Sequence, residues 1–250
     1  MTYCVGLQLD RGLVFLSDTR TNAGVDNIST YRKMHTWEVP GERTMMLMTA
    51  GNLATTQSVV SLLEERNLHP SDRDPTILSA PTMFQAARLV GQTLKDVIQQ
   101  QRGGGPEAAA PTTFNATMIF GGQIKGGPTR LYMVYPEGNF VEAQRDTPFF
   151  QIGETKYGRP ILVRAYDPDM DFARAIKLLM VSFDSTIRAN LSVSTPLDLQ
   201  VYETDSLKLG LTRRVEDTDA DWRAVSDGWS DALRTAFDSL PDVTLDEGRD

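Results

Sequence analysis

Thr2 stands directly behind Met1, and that position opens a route to nucleophilic chemistry. A threonine hydroxyl attacks poorly unless a base takes its proton, and a free α-amine on the same residue can be that base. An α-amine titrates at about 7.7–8.0, so much of it is neutral at cellular pH, whereas an internal lysine would need a far larger shift. Removal of Met1, usual before a small residue, would give Thr2 that amine without a propeptide. A threonine in second place is otherwise no more than the start of an edge strand, so neighbouring residues must distinguish the two readings.

Asp18 and Lys33 bear on that choice. If Asp10-Arg11-Gly12 forms a three-residue hairpin loop with Gly12 in the left-handed position, Leu9 pairs with Leu13 and Cys4 falls opposite Asp18. Side chains alternate with period two along a strand, so Thr2, Cys4 and Asp18 would then share a face. A two-residue loop would shift the register by one and turn Asp18 to the other face. Lys33 could supply a cation. Paired with a buried carboxylate it stays charged, and its field eases alkoxide formation and keeps the amine neutral. Within Tyr31-Arg32-Lys33 it reads equally as a surface lysine. Thr49-Ala50-Gly51-Asn52 ends a strand and opens a helix. A glycine there lets a substrate approach the backbone closely, and N–H groups at a helix start are donors for a developing oxyanion. Gly51 alone also fits a plain strand-to-helix turn.

The elements that must carry these residues follow from periodicity. Thr2–Leu9 and Leu13–Leu16 read as one strand pair, and Met34–Val39 and Thr44–Thr49 as a second around Pro40-Gly41-Glu42-Arg43. Runs such as Leu13-Val14-Phe15-Leu16 and Met45-Met46-Leu47-Met48 are apolar on both faces, which requires sheets covered on both sides. Three- and four-residue spacings predict helices over Asn52–Arg66, Pro81–Gln101, Met170–Asn190 and Asp221–Leu240, the second capped by Thr82 and stopped by Gly103–Gly105. Strands return at Ala116–Phe120, Arg130–Tyr135 and Phe149–Ile152, with Leu199–Glu203 as a closing strand. This order departs from the strict alternation of a doubly wound parallel fold and suits an α+β chain with antiparallel sheets between helix layers. One domain over residues 2–240 is expected, with a frayed tail at 241–250.

Composition removes several alternatives. The 250 residues are 40% hydrophobic and 23% charged, the balance of a soluble globular chain. A net charge of −8 is not the electrostatic footprint of a nucleic-acid binder and does not suit an anionic membrane surface. The single cysteine, Cys4, permits no intramolecular disulfide and, with two histidines, no zinc site of standard spacing. It reads as a buried structural thiol within a strand. His35 and His69 lie outside any nucleophile-elbow context, so a Ser–His–Asp site is not indicated. Gly103–Gly105 lacks the lysine of a phosphate loop, and no dinucleotide fingerprint occurs, so no cofactor and no metal are expected. The N-terminus lacks the basic start and unbroken apolar run of a signal peptide. No stretch approaches the roughly 18 apolar residues of a membrane span, and a cytoplasmic protein is expected.

Taken in order, Thr2, Asp18-Thr19-Arg20, Lys33 and Thr49-Ala50-Gly51 resemble the proteasome β-type N-terminal-nucleophile (Ntn) hydrolases. The stretches MTYCVGLQLDRGLVFLSDTRTNAGVDNISTYRKMH and IRANLSVSTPLDL resemble in particular the bacterial Anbu, or ancestral β-subunit, group. The resemblance runs over roughly residues 2–210. It implies a four-layer αββα sandwich, here with an extra C-terminal helix carrying Trp222 and Trp229. By position it implies Thr2 as nucleophile and, through its amine, general base. Asp18 and Lys33 become the supporting ion pair and the Gly51 N–H the oxyanion donor. Thr21, Asn22 and Thr49 fall where substrate backbone binds, and Ser192 where a supporting serine stands. Two departures are visible. The usual Gly-Ser-Gly reads Gly153-Glu154-Thr155, and the usual aspartate before Ser192 is replaced by Ala189. The resemblance thus implies a threonine hydrolase that cleaves amide bonds of a peptide or unfolded protein inside a ring or spiral homo-oligomer, with any unfoldase on a separate chain. A small-molecule amidase on the same fold and a catalytically silent peptide-binding or assembly protein remain open beside it.

Overall fold

Antiparallel pairing organises the computed structural model of this chain, which describes residues 2–22, 28–68, 75–103 and 113–243. The first sheet comprises β1 (Tyr3–Leu9), β2 (Gly12–Asp18), β10 (Phe149–Gly153), β11 (Leu197–Glu203) and β12 (Thr212–Val215), in the order β10-β1-β2-β11-β12. The second comprises β5 (Met34–Val39), β6 (Arg43–Gly51), β7 (Ala116–Ile124), β8 (Arg130–Val134) and β9 (Phe140–Glu142), in sequence order. A small pair, β3 (Arg20–Asn22) and β4 (Ile28–Thr30), follows β2. The described helices are α1 (Leu53–Leu68), α2 (Met83–Arg102), α3 (Arg159–Ala165), α4 (Phe172–Ala189) and α5 (Ala220–Asp238). His69, Gly104–Gly105 and residues 244–250 of the expected tail lie outside the described residues.

The doubly apolar strands bury both faces. From β2, Val14 and Leu16 join Tyr3, Val5 and Leu7 in a cluster with Leu162, Leu178, Leu179 and Phe183 of α3 and α4. The alternate residues Leu13 and Phe15 join Cys4, Phe150 and Ile152 and meet Met46, Met48, Ile119 and Leu131 of the second sheet. The other side of that sheet, through Met45, Leu47, Met118 and Phe120, packs on Val59, Leu63 and Leu94 of α1 and α2. Each large apolar side chain so withdrawn from water contributes about 1.5–3 kcal/mol, which is why runs without polar alternation occur here.

The first hairpin corrects the expected register. Leu9 pairs with Gly12, and Cys4 with Ser17, across the two-residue turn Asp10-Arg11. Gly12 serves not as a loop bulge but as a close-approach point, because a Cβ there would collide with the Tyr202 carbonyl of β11. Asp18 therefore lies opposite Tyr3 rather than Cys4, and the shared-face argument fails. Leu199–Glu203 is likewise not a closing strand, since β11 runs between β2 and β12.

Helix ends follow local chemistry. Thr82 accepts a hydrogen bond from the Gln85 N–H at 3.2 Å and caps α2. Asp171 caps α4 by accepting from the Arg174 N–H at 2.7 Å, so the helix begins two residues after the expected Met170. Asp219 caps α5, whose Trp222 is buried against the first sheet's helix-side cluster. Past Val225 the helix leaves that cluster, and Leu233 and Phe237 are exposed. Among the described residues, no helix is long and apolar enough to cross a membrane.

Candidate active site

The start of β1 and the ends of β2, β6 and β10 converge around Thr2. Tyr3 pairs with Gly153 in β10, and one step further the Glu154 N–H donates to the Thr2 carbonyl at 2.6 Å. Gly153 has φ +83°, and a Cβ there would collide with that same carbonyl. Only glycine satisfies both the left-handed backbone and the close approach. Tyr3 anchors the strand from below. Its hydroxyl meets Ser182 Oγ at 2.7 Å and accepts from Gln151 Nε2 at 2.6 Å, and burial pushes its pKa up to about 12.

Asp18 reaches the site from the end of its strand. Its Oδ1 accepts from the Tyr3 N–H at 3.0 Å and from Lys33 Nζ at 2.7 Å. Lys33 also donates to the Arg20 carbonyl at 2.6 Å. Asp18 is fully buried, and among the described residues its Oδ2 has no hydrogen-bond partner. Burial pushes its pKa from 3.8 up to about 6, against the opposing pull of the Lys33 charge, the Lys33 hydrogen bond and the Tyr3 N–H. Lys33 is held to the second sheet by its own carbonyl, which accepts from the Thr49 N–H at 3.0 Å. The pair thus joins the two sheets beside Thr2.

Thr49 also fixes the direction of the Gly51 amide. Alternate N–H groups of a strand point to the same side. Because Thr49 donates towards Lys33 while Asn52 donates to the Asn115 carbonyl across β7, the Gly51 N–H is directed away from β7. β5 begins only at Met34, so among the described residues no strand pairs with β6 there. Gly51 has φ +119°, and a Cβ on it would collide with the Asn115 carbonyl. Asn52 then caps α1, its Oδ1 accepting from the Thr55 N–H at 3.0 Å.

These groups line one cleft of about 720 Å³, bordered by Thr2, Thr21, Lys33, Thr49, Gly51 and Gly153. Sequence reading missed its far wall, where Leu53, Gln57, Ser61 and Glu64 of α1 face Arg32 and His35. The signal was present, since these α1 positions recur at helical spacing, but a mixed polar stripe does not announce a cleft. The half-buried His35 has its pKa lowered to about 4 by burial and then by the Arg32 charge, so it is neutral near pH 7. Cys4 is fully buried, with its thiol pKa pushed well above the ordinary value by burial.

The remaining predicted positions divide. Thr21 pairs with Ser29 and borders the cleft. The Asn22 backbone pairs with Ile28, while its side chain lies outside the described residues. Ser192 is held beside the end of α4. It is absent from the cleft wall, and its N–H donates to Asn190 Oδ1 at 3.0 Å. Asn190 instead donates from Nδ2 to Glu154 Oε2 at 3.1 Å. Among the described residues, no group of three or more His, Cys, Asp or Glu side chains is placed to hold a metal ion.

A threonine at a strand start, the lysine of a buried lysine–carboxylate pair and a strand-end glycine thus border one cleft. The proteasome subunit model matches residues 2–195, and the chain belongs to the proteasome family, within its Anbu group. It is 48% identical to the Anbu (Gly-1) mutant from Hyphomicrobium sp. strain MC1, with a TM-score of 0.89, covering 98% of this chain and 100% of that one. Anbu (ancestral β-subunit) from Yersinia bercovieri is 44% identical with a TM-score of 0.90, over 97% of this chain and 100% of that one. A structure titled as the helical assembly of the Anbu complex from Pseudomonas aeruginosa is 45% identical with a TM-score of 0.90, over 98% and 100%. No curated protein sequence matches.

Proposed function

We propose that this chain is an N-terminal threonine hydrolase that cleaves amide bonds in peptides, working as a homo-oligomer. The observation that carries the reading is the buried Lys33–Asp18 pair, whose Lys33 borders the same cleft as Thr2 and Gly51. With Met1 removed, Thr2 Oγ attacks the scissile carbonyl while its own α-amine takes the proton. The fixed Lys33 charge lowers the cost of the alkoxide, and the Gly51 N–H receives the oxyanion. The protonated amine then gives its proton to the leaving amine, leaving an acyl ester on Thr2. Water, deprotonated by the same amine, resolves that ester.

The shape of the cleft favours peptides over small amides. Thr21 on β3 and Thr49–Gly51 on β6 border it from two sides, and strand edges of this kind recognise an extended backbone. Its α1 wall runs from Leu53 to Glu64, a length of about 16 Å at the helical rise. The domain is read as a four-layer αββα sandwich over residues 2–240, in accord with the three stacked apolar clusters. Assembly is supported by the helical Anbu complex of Pseudomonas aeruginosa and by the exposed Leu233, Phe237 and Leu240 on and beyond α5. A cytoplasmic location and a separate unfoldase chain, if one is used, belong to this reading.

The test combines intact mass with a covalent probe. Protein lacking Met1 should gain one peptide epoxyketone at Thr2 and release fluorophore from peptide amides, and Thr2→Ala should do neither while keeping its fold. Unchanged amidase activity in Thr2→Ala would sink the mechanism. No adduct on protein that lacks Met1 would favour a silent assembly protein.

A further inference from the structure

The peptide unit between Thr2 and Tyr3 is gripped at both polar ends. Its N–H, on Tyr3, donates to Asp18 Oδ1 at 3.0 Å. Its oxygen, on Thr2, accepts from the Glu154 N–H at 2.6 Å. Asp18 already has a part in the chemistry through Lys33, whereas Glu154 has none. Yet its side chain is almost wholly buried and fully engaged. Oε1 accepts from the Lys156 N–H at 2.9 Å and Oε2 from Asn190 Nδ2 at 3.1 Å.

Asn190 is itself fixed. It ends α4, its N–H donating to the Thr186 carbonyl at 2.9 Å. Its Oδ1 accepts from the Ser192 N–H at 3.0 Å, which leaves Nδ2 directed at Glu154. The same loop returns to the catalytic pair. The Leu191 carbonyl accepts from Arg20 Nη1 at 3.0 Å, and the Arg20 carbonyl accepts from Lys33 Nζ at 2.6 Å. Thr2 is thus enclosed by a closed circuit through Glu154, Asn190, Leu191, Arg20, Lys33 and Asp18. A chain start is otherwise prone to fray, and hydrogen bonds to a carboxylate are about twice as strong as neutral ones.

We propose that Glu154 is a positioning residue for Thr2, holding the Thr2 carbonyl through its own amide while Asn190 holds its carboxylate. The inference rests on the proposed role of Thr2 as nucleophile. Fixing this peptide plane fixes the bond from which both the amine and the hydroxyl of Thr2 project. A misplacement of reacting groups by about 1 Å can cost about a hundredfold in rate.

Two measurements on the full chain lacking Met1 test it. The first is residue-resolved hydrogen exchange at the amide of position 154. The second is the rate of peptide epoxyketone addition to Thr2 as a function of probe concentration. In Asn190→Ala and Glu154→Ala, exchange at position 154 should rise at least tenfold. The saturating labelling rate should fall at least tenfold with half-saturation unchanged, and β6 amides should keep their protection. Glu154→Gln keeps one acceptor oxygen and should fall between wild type and Glu154→Ala. Exchange and labelling within twofold of wild type in both alanine variants would overturn the proposal. So would a loss confined to half-saturation, or equal loosening of β6. If wild type forms no adduct, the catalytic reading fails, and exchange at position 154 in Asn190→Ala still decides whether this clamp exists.

Discussion

Lys33 Nζ stands 2.7 Å from Asp18 Oδ1, with the two side chains only 6% and 0% exposed. Asp18 belongs to β2 of the first sheet, and Lys33 immediately precedes β5 of the second. The pair is therefore an ion pair spanning two sheets, and its Lys33 borders the cleft that Thr2 also lines. A buried pair adds little net stability over an apolar substitute, because removing both charges from water offsets their attraction. In the proposed mechanism it holds a positive charge at a defined place in the cleft that Thr2 lines.

That arrangement makes the two partners unequal. Asp18→Ala leaves the Lys33 charge buried and unpaired, and should cost about 3–5 kcal/mol in chemical denaturation. Lys33→Met leaves a carboxyl that can take up a proton, and should cost less. Either change should slow covalent labelling of Thr2 by about 10²–10³-fold, the scale of a lost electrostatic stabiliser. The double variant should be more stable than Asp18→Ala alone, since the two residues act as a unit. A double variant at least as unstable as the sum of the singles would contradict this account.

The same carboxyl sets a pH dependence. Its pKa in the fold is raised from 3.8 to about 6, so the folded chain holds this proton more tightly than the unfolded chain. Its contribution to stability is therefore fully present below pH 3.8, declines as pH rises, and is gone above about 6. Activity should run the other way, because the Lys33 pair needs Asp18 ionised. Labelling of Thr2 should fall reversibly as pH drops through about 6, without loss of fold by circular dichroism. An acid limb centred near the ordinary aspartate value would refute the assignment.

Gly153→Ala places a methyl group against the Thr2 carbonyl and forces alanine to φ +83°. The backbone strain alone is about 1–3 kcal/mol. Thr2 must shift to relieve the collision, so labelling should drop by at least tenfold while the melting temperature falls only a few degrees. Wild-type labelling in this variant would show that the approach of β10 to Thr2 is not needed.

Cys4 should be silent towards thiol reagents. It is fully buried, its thiol is held protonated by burial, and its Sγ lies 3.8 Å from the Thr49 carbonyl. Maleimide should add to it only after denaturation, and Cys4→Ser should leave Thr2 labelling within a fewfold of wild type. Rapid modification of the native chain would contradict the burial of this strand.

Residue types and spacing by themselves determined the candidate chemistry and most of the elements. The runs around Leu13 and Met45 announced sheets covered on both faces, and Thr82 announced the start of α2. The strands β3, β4, β9 and β12 have four residues or fewer, and the seven residues of α3 make less than two helical turns, too few for a period to stand out. Only the tertiary structure decided how Asp18 reaches Thr2. A two-residue turn and a three-residue loop differ by one step of register, and that step depends on β11 packing against Gly12, a contact with no local trace. Glu154 was visible only as a departure from a family pattern, and Ser192 only as a match to one. The structure joins Glu154 to Thr2 and to Asn190, because the polar partners of this strand start come from just beyond β10 and from the end of α4, segments more than a hundred residues away in the chain.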